Sequence, residues 1–265
     1  MLSISFELIL LMALCLSLAT VMQTLSGFGF GLLVVASFTL LDVLPLTATT
    51  FLVSLLGLVN STTVVVKNRS SVKVPELKLM LYTGIPLMLI GFVLLEFMSS
   101  HLTHYLNFIL GVSILLCCAL MLIGRDRANK QSRPRSFLIA GGVSGLLGGL
   151  FSTSGPPLVF QCYKQSWSIE AIRSTLLAVF TIGGLVRVGI ALFGTLPGLD
   201  IMFLIAAAIP LVLLVTHFAR KLTPYVDAKW IRIIAITLLG LSGVSLVATS
   251  APMAFFKKCD VNNSS

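Results

Sequence analysis

Long apolar stretches alternate along the chain with short polar ones. Eight can be delimited: Phe6 to Leu41, Leu46 to Val66, Leu77 to Leu95, Tyr105 to Ile123, Phe137 to Tyr163, Ser174 to Phe193, Ile201 to Ala219 and Ile233 to Phe255. A helix needs roughly 20 apolar residues to cross the hydrocarbon layer, and in lipid every backbone group must be bonded within its own helix. The runs are continuous rather than alternating, which excludes a transmembrane β-barrel. The pattern predicts an all-α polytopic membrane protein. Two stretches are interrupted, the first by Ser26-Gly27-Phe28-Gly29-Phe30-Gly31 and the fifth by Ser152-Thr153-Ser154-Gly155-Pro156-Pro157.

The longest hydrophilic stretch, Gly124 to Ser136, carries Arg125, Arg127, Lys130, Arg133 and Arg135 and separates two sets of four segments. It divides the chain into a first membrane repeat, 1–123, a basic linker, 124–136, a second repeat, 137–255, and a polar tail, 256–265. A shift of 125 positions lays Leu33-Val34 on Leu158-Val159, Thr49-Thr50 on Ser174-Thr175 and Tyr105 on Trp230, and a shift of 124 lays Ile85-Pro86-Leu87 on Ile209-Pro210-Leu211. Each match is weak, but all keep one order and nearly one offset, which favours duplication. Equivalent loops differ in charge. Lys67, Arg69, Lys73 and Lys78 stand opposite the base-free stretch Gly194 to Asp200, and base-free Phe97 to His104 stands opposite Arg220, Lys221, Lys229 and Arg232. Basic loops stay in the cytoplasm, so the two halves should form an inverted repeat.

An inverted repeat needs an odd number of crossings per half, so one of each four segments should enter and leave by the same face. The broken segments are the candidates, each a broken or re-entrant helix hairpin followed by three transmembrane helices. With the fifth segment opening inward, every Lys and Arg except Arg187, Lys257 and Lys258 should be cytoplasmic and the C-terminus of this multi-pass protein external. Eight full crossings would strand Lys164, Arg173, Arg220, Lys221, Lys229 and Arg232 outside. The first limb, Phe6 to Leu25, is long enough to span at 1.5 Å per residue, so its re-entrance rests on symmetry. Met1 to Leu14 lacks Lys and Arg and shows no small-residue cleavage site, which predicts that the first segment is kept.

Composition narrows the function classes. The 265 residues are 57% hydrophobic and 10% charged, with a mean hydropathy of +1.06, outside the balance of soluble domains. The net charge of +9 is accounted for by orientation in the bilayer, without nucleic acid as a partner. No Walker A sequence is present, and the Gly-Phe-Gly-Phe-Gly stretch lacks the strand and βαβ unit of a dinucleotide loop. Cys15, Cys117, Cys118 and Cys162 lie in apolar runs as small hydrophobes. His101, His104 and His217 read as interfacial, without the clustering a metal requires. No cofactor is expected.

Non-helical backbone at membrane depth is tolerated only where protein or a water-filled cavity satisfies it, and a pair of such breaks in corresponding places points to a transport site near the midplane. New half-helices should start at about Gly31 and about Pro156, each offering free N–H groups and a positive dipole end to an anion. Gly27, Gly29 and Gly31 allow close approach to the backbone, with Gln23, Thr24 and Ser26 nearby. At the second break the hydroxyls of Ser152, Thr153 and Ser154 stand in for the donors missing at Pro156 and Pro157, beside Gly155. Gly141, Gly145 and Gly149 have helix-packing spacing instead. Arg187 is the one base inside a span, and it either binds substrate or serves as an anchor, snorkelling outward or pairing with Asp200. Asn60, Thr63 and Gln161 could line the path, Asn60 equally well bridging helices.

The broken Gly-rich helix opening each half, Gly-Phe-Gly-Phe-Gly-Leu-Leu at 27–33 and Ser-Gly-Pro-Pro at 154–157 together resemble the sulfite exporter TauE/SafE family of membrane permeases over nearly the whole chain. That resemblance implies a bacterial-type inner-membrane transporter of sulfite, sulfoacetate or other organosulfur anions. A secondary transporter of a small anion is thus expected, not an enzyme, with a proton or sodium as coupling ion and room for a homo-oligomer. A passive anion channel is the alternative. An intramembrane serine protease using Ser152 or Ser154 with His217 would need them within hydrogen-bond reach, which the expected topology denies.

Overall fold

The computed structural model describes residues 6–99, 103–123, 132–152, 155–193 and 198–222, with isolated helical positions between 237 and 248. Most of the eighth segment, Lys229, Arg232, most of the linker, the tail, Thr153 and Ser154 lie outside them. Among the described residues all regular structure is helical: α1 Phe6–Ser26, α2 Phe30–Leu40, α3 Leu46–Val65, a 3₁₀ turn Arg69–Ser71, α4 Val74–Ser99, α5 Thr103–Ile123, α6 Pro134–Phe151, α7 Gly155–Tyr163, α8 Ile169–Phe193 and α9 Leu199–Leu222. Six helices, within α1, α3, α4, α6, α8 and α9, are long and apolar enough to cross a membrane. Several helices outrun their apolar stretches. α4 starts at Val74 and α8 at Ile169, because polar residues near the interface continue a helix without entering the hydrocarbon.

Both broken segments are interrupted where expected, and their first limbs, α1 and α6, are each long and apolar enough to cross a membrane. Gly27 and Gly29 take φ of +85° and +101°, left-handed values that favour glycine, and they reverse the chain between α1 and α2. The limbs run antiparallel, with Cys15 near Ser37 and Gly29 beside Met22. At the second break Ser152 takes φ of +55° while its N–H bonds the Gly148 carbonyl at 3.0 Å, closing α6. The hairpin α6–α7 begins and ends at one pole of the molecule. Phe137 stacks on Trp167 with centroids 5.9 Å apart, and the Ser132 N–H donates to Gln165 Oε1 at 3.0 Å. The loop after α3 meets the same pole, where Ser71 Oγ donates to Glu170 at 3.1 Å and the Lys73 N–H to Thr175 Oγ1 at 3.0 Å. Three helix boundaries share one offset, Ser26 and Phe151, Phe30 and Gly155, and Val74 and Leu199 each being 125 positions apart, while the others differ from it by two or three positions. Pro86 and Pro210 sit inside α4 and α9.

Helices in lipid gain little from burying apolar surface against each other, so close backbone packing must hold them. The closest pair is α4 and α6. A side chain on Gly141 would lie 2.7 Å from Met80 Cα, one on Gly145 2.7 Å from Gly84 Cα, and one on Gly149 2.8 Å from the Gly91 carbonyl carbon. The partners rise together along both chains, so the two helices are parallel. The packing role expected of these three glycines is what the structure shows. α3 and α8 cross antiparallel at the centre, with Gly184 against Leu58 and Thr181 Oγ1 donating to Ser61 Oγ at 3.0 Å. Leu10, Leu14 and Leu18 form an exposed stripe on α1, suited to lipid.

Candidate transport site

Between the two breaks lies a cavity of about 70 Å³. Gln23 at the end of α1, Gly29 and Gly31 at the start of α2, Ser152 and Gly155 across the second break, and Arg187 of α8 all face it. The starts of α2 and α7 are neighbours, since a side chain on Gly155 would meet Leu32 Cδ1 at 3.6 Å. Gly29 caps α2 without a side-chain bond, and the first main-chain bond of the helix runs from Leu33 N–H to the Gly29 carbonyl at 2.9 Å. The N–H groups of Phe30, Gly31 and Leu32 therefore have no acceptor within the helix.

Arg187 is 4% exposed, so it does not snorkel. Its Nη1 donates to the Gly148 carbonyl at 2.6 Å and to the Gly149 carbonyl, and its Cζ lies 5.4 Å from the centre of the Phe92 ring. These carbonyls belong to the last turn of α6, where the dipole is negative and free acceptors collect. Both anchor readings of Arg187 are thereby replaced: its partners are a helix C-terminus and an aromatic face rather than the interface or Asp200.

The other expected residues divide. Asn60, wholly buried, holds helices together: its Oδ1 accepts from Thr24 Oγ1 at 3.0 Å and Thr216 Oγ1 at 3.1 Å, and its Nδ2 donates to Gln23 Oε1 at 3.2 Å. This joins α1, α3 and α9 beneath the cavity. Ser26 serves its own turn, donating to the Met22 carbonyl at 2.6 Å, while Gly27 allows α8 to approach, because a side chain there would lie 2.9 Å from Arg173 Cα. Ser152 Oγ donates to the Thr50 carbonyl at 2.7 Å and lies 2.8 Å from Ser54 Oγ. Pro156 is in the first turn of α7; Thr153 and Ser154 fall outside the described residues. Thr63 Oγ1 bonds back to the Val59 carbonyl at 2.7 Å, and Gln161, buried in α7, does not line this cavity.

Among the described residues a Ser–His pair is not assembled, Ser154 lying outside them. Ser152 is held beside Thr50, whereas His217 adjoins Thr216, which is bonded to Asn60 ten positions along α3, about 15 Å away at the helical rise. No group of three or more His, Cys, Asp or Glu suited to a metal occurs among the described residues. Sequence reasoning missed Ser54, Phe92, Thr216 and the pair Gly183-Gly184. Ser54 and the glycine pair carried a signal, as polar or small residues inside apolar helices; Phe92 carried none.

The sulfite exporter TauE/SafE family profile matches residues 12–246. A protein of Cupriavidus necator named "probable sulfite/organosulfonate exporter TauE" is 31% identical over 235 residues, covering 88% of this chain and 91% of that one. No solved structure matches. The chain belongs to the sulfite exporter TauE/SafE family of membrane transporters.

Proposed function

We propose that the protein is a secondary transporter of a small anion, sulfite or an organosulfonate, held near the membrane midplane in the cavity between the two breaks. The convergence of the buried Arg187 guanidinium with the starts of two half-helices on one cavity of about 70 Å³ carries this reading. An anion there meets unpaired N–H groups and two positive dipole ends, and the guanidinium adds a planar donor fork. Gln23, Gly29, Gly31, Ser152, Gly155 and Arg187 form this site. Thr24, Asn60, Ser26 and Gly27 support its frame. The name of the Cupriavidus necator relative supports the substrate class.

The common offset of helix boundaries supports an inverted repeat of 1–123 and 137–255 joined by the basic linker 124–136, and so does the packing of α1 on α9 as α4 packs on α6. In this arrangement the pole shared by Lys73, Arg133 and Lys164 is cytoplasmic, the protein lies in the inner membrane, and a proton or sodium gradient drives it. A reporter in the loop at Ser166 should be cytoplasmic; external labelling there would contradict this. Function is tested by labelled sulfite and organosulfonate flux in proteoliposomes. Saturable, counterflow-competent flux supports a carrier, unitary conductance steps would make the protein a channel, and no flux of either anion would refute the reading.

A further inference from the structure

Arg187 lines a second, larger cavity of about 400 Å³, at the pole opposite Lys73 and Arg133, where α3 and α9 begin and α4 and α8 end. Its walls are largely apolar, from Ala48, Phe51, Phe92, Leu95, Ala191 and Ile201. Phe92 contributes twice, since its ring lies under the guanidinium and also faces this outer cavity. The two cavities suit different parts of one molecule. The central one is small, and glycines and polar groups share its wall with apolar side chains such as Phe30 and Met88, whereas the outer one offers a wider apolar surface that ends at a buried positive charge. Glu96, exposed, also borders the outer cavity, and its charge disfavours a second negative charge on a ligand there.

We propose that the outer cavity is a subsite for the apolar tail of an organic monoanion, an alkanesulfonate in chemical class, whose anionic head addresses Arg187. This rests on the anion-transport reading and extends it, because it assigns selectivity between inorganic and organic anions to a separate part of the protein. Apolar burial rewards each methylene that leaves water, and a tail within reach of the Phe92 ring leaves the head on the guanidinium side.

The experiment measures inhibition of labelled sulfite flux by methane-, butane-, hexane- and dodecanesulfonate, using the full chain in proteoliposomes. The half-inhibiting concentration should fall up to about fourfold for each methylene that enters the cavity, then level off before the twelve-carbon chain. In Ala191→Phe, and in Ala48→Phe as a second variant, the ratio between methane- and hexanesulfonate should collapse toward one at matched abundance. Equal inhibition by short and long chains with sulfite flux intact would overturn the subsite alone. So would an unchanged ratio in both filled variants, or potency that climbs steadily through dodecanesulfonate, the behaviour of partition into lipid. Absence of sulfite flux in the wild type would overturn the transport reading and this inference with it.

Discussion

At the first break the last turn of α1 is held by Asn60 of α3 through Gln23 and Thr24; at the second, the last turn of α6 is held by Arg187 of α8 through the carbonyls of Gly148 and Gly149. Gln23 and Gly148, and Thr24 and Gly149, stand 125 positions apart, so in the proposed repeat the clamps fall on corresponding turns. One clamp is neutral and grips side chains, with Thr216 of α9 as a third member. The other is cationic and grips main chain. The neutral clamp consumes the polar capacity of Asn60 within the protein, whereas the cationic one faces two cavities. In the proposed repeat, only the second half thus brings a charged side chain to the cavity.

The comparison breaks most sharply at the cation. Arg187→Gln should weaken apparent anion affinity by about 2–5 kcal/mol, the cost of losing one partner of a buried charge-assisted contact. Arg187→Lys should fall between, because it keeps charge without the planar fork. Half-saturation of sulfite flux at matched abundance measures this, and wild-type values in Arg187→Gln would remove the difference between the clamps.

A smaller effect separates two glycines of the first break. Gly27→Ala meets both left-handed backbone strain and the Arg173 main chain, and should cost roughly 2–4 kcal/mol of stability. Gly29→Ala meets strain alone, with Met22 Cβ 4.0 Å away, and should cost about 1–2 kcal/mol while still obstructing the cavity. Thermal unfolding in detergent beside flux separates them: the first variant loses stability more, the second loses flux more.

The neutral clamp should respond least in transport. Asn60→Leu leaves Thr24, Thr216 and Gln23 without their shared partner and should cost about 1–3 kcal/mol of stability, with half-saturation unchanged in the protein that folds. Thr216→Val should cost about 1 kcal/mol. A large shift in half-saturation from Asn60→Leu would mean that Asn60 sets the position of its partner Gln23 in the anion site rather than only holding the helices together.

Much of this frame was legible before any coordinates. Gly27 to Gly31 and Ser152 to Pro157 announced breaks because helix-breaking residues inside an apolar run have few other uses, and the half-helices start within one residue of the expected places. Gly141, Gly145 and Gly149 announced a packed seam by their spacing. The partners of Arg187 were not legible, since main-chain carbonyls carry no side-chain signature and any helix end offers them. Nor was the pairing of Asn60 with Thr216, which depends on α9 lying beside α1 and α3, a choice that apolar helices of similar composition do not encode locally.

The central claim is one anion site formed by both breaks, with Arg187 as its charge. Equilibrium binding of labelled sulfite to the purified protein tests it most directly, with wild type, Arg187→Gln, Gly155→Val and Asn60→Leu compared at equal folded concentration. Saturable binding of one anion per chain, lost in Arg187→Gln and Gly155→Val and kept in Asn60→Leu, is the predicted result. Unchanged affinity in folded Arg187→Gln and Gly155→Val would contradict it.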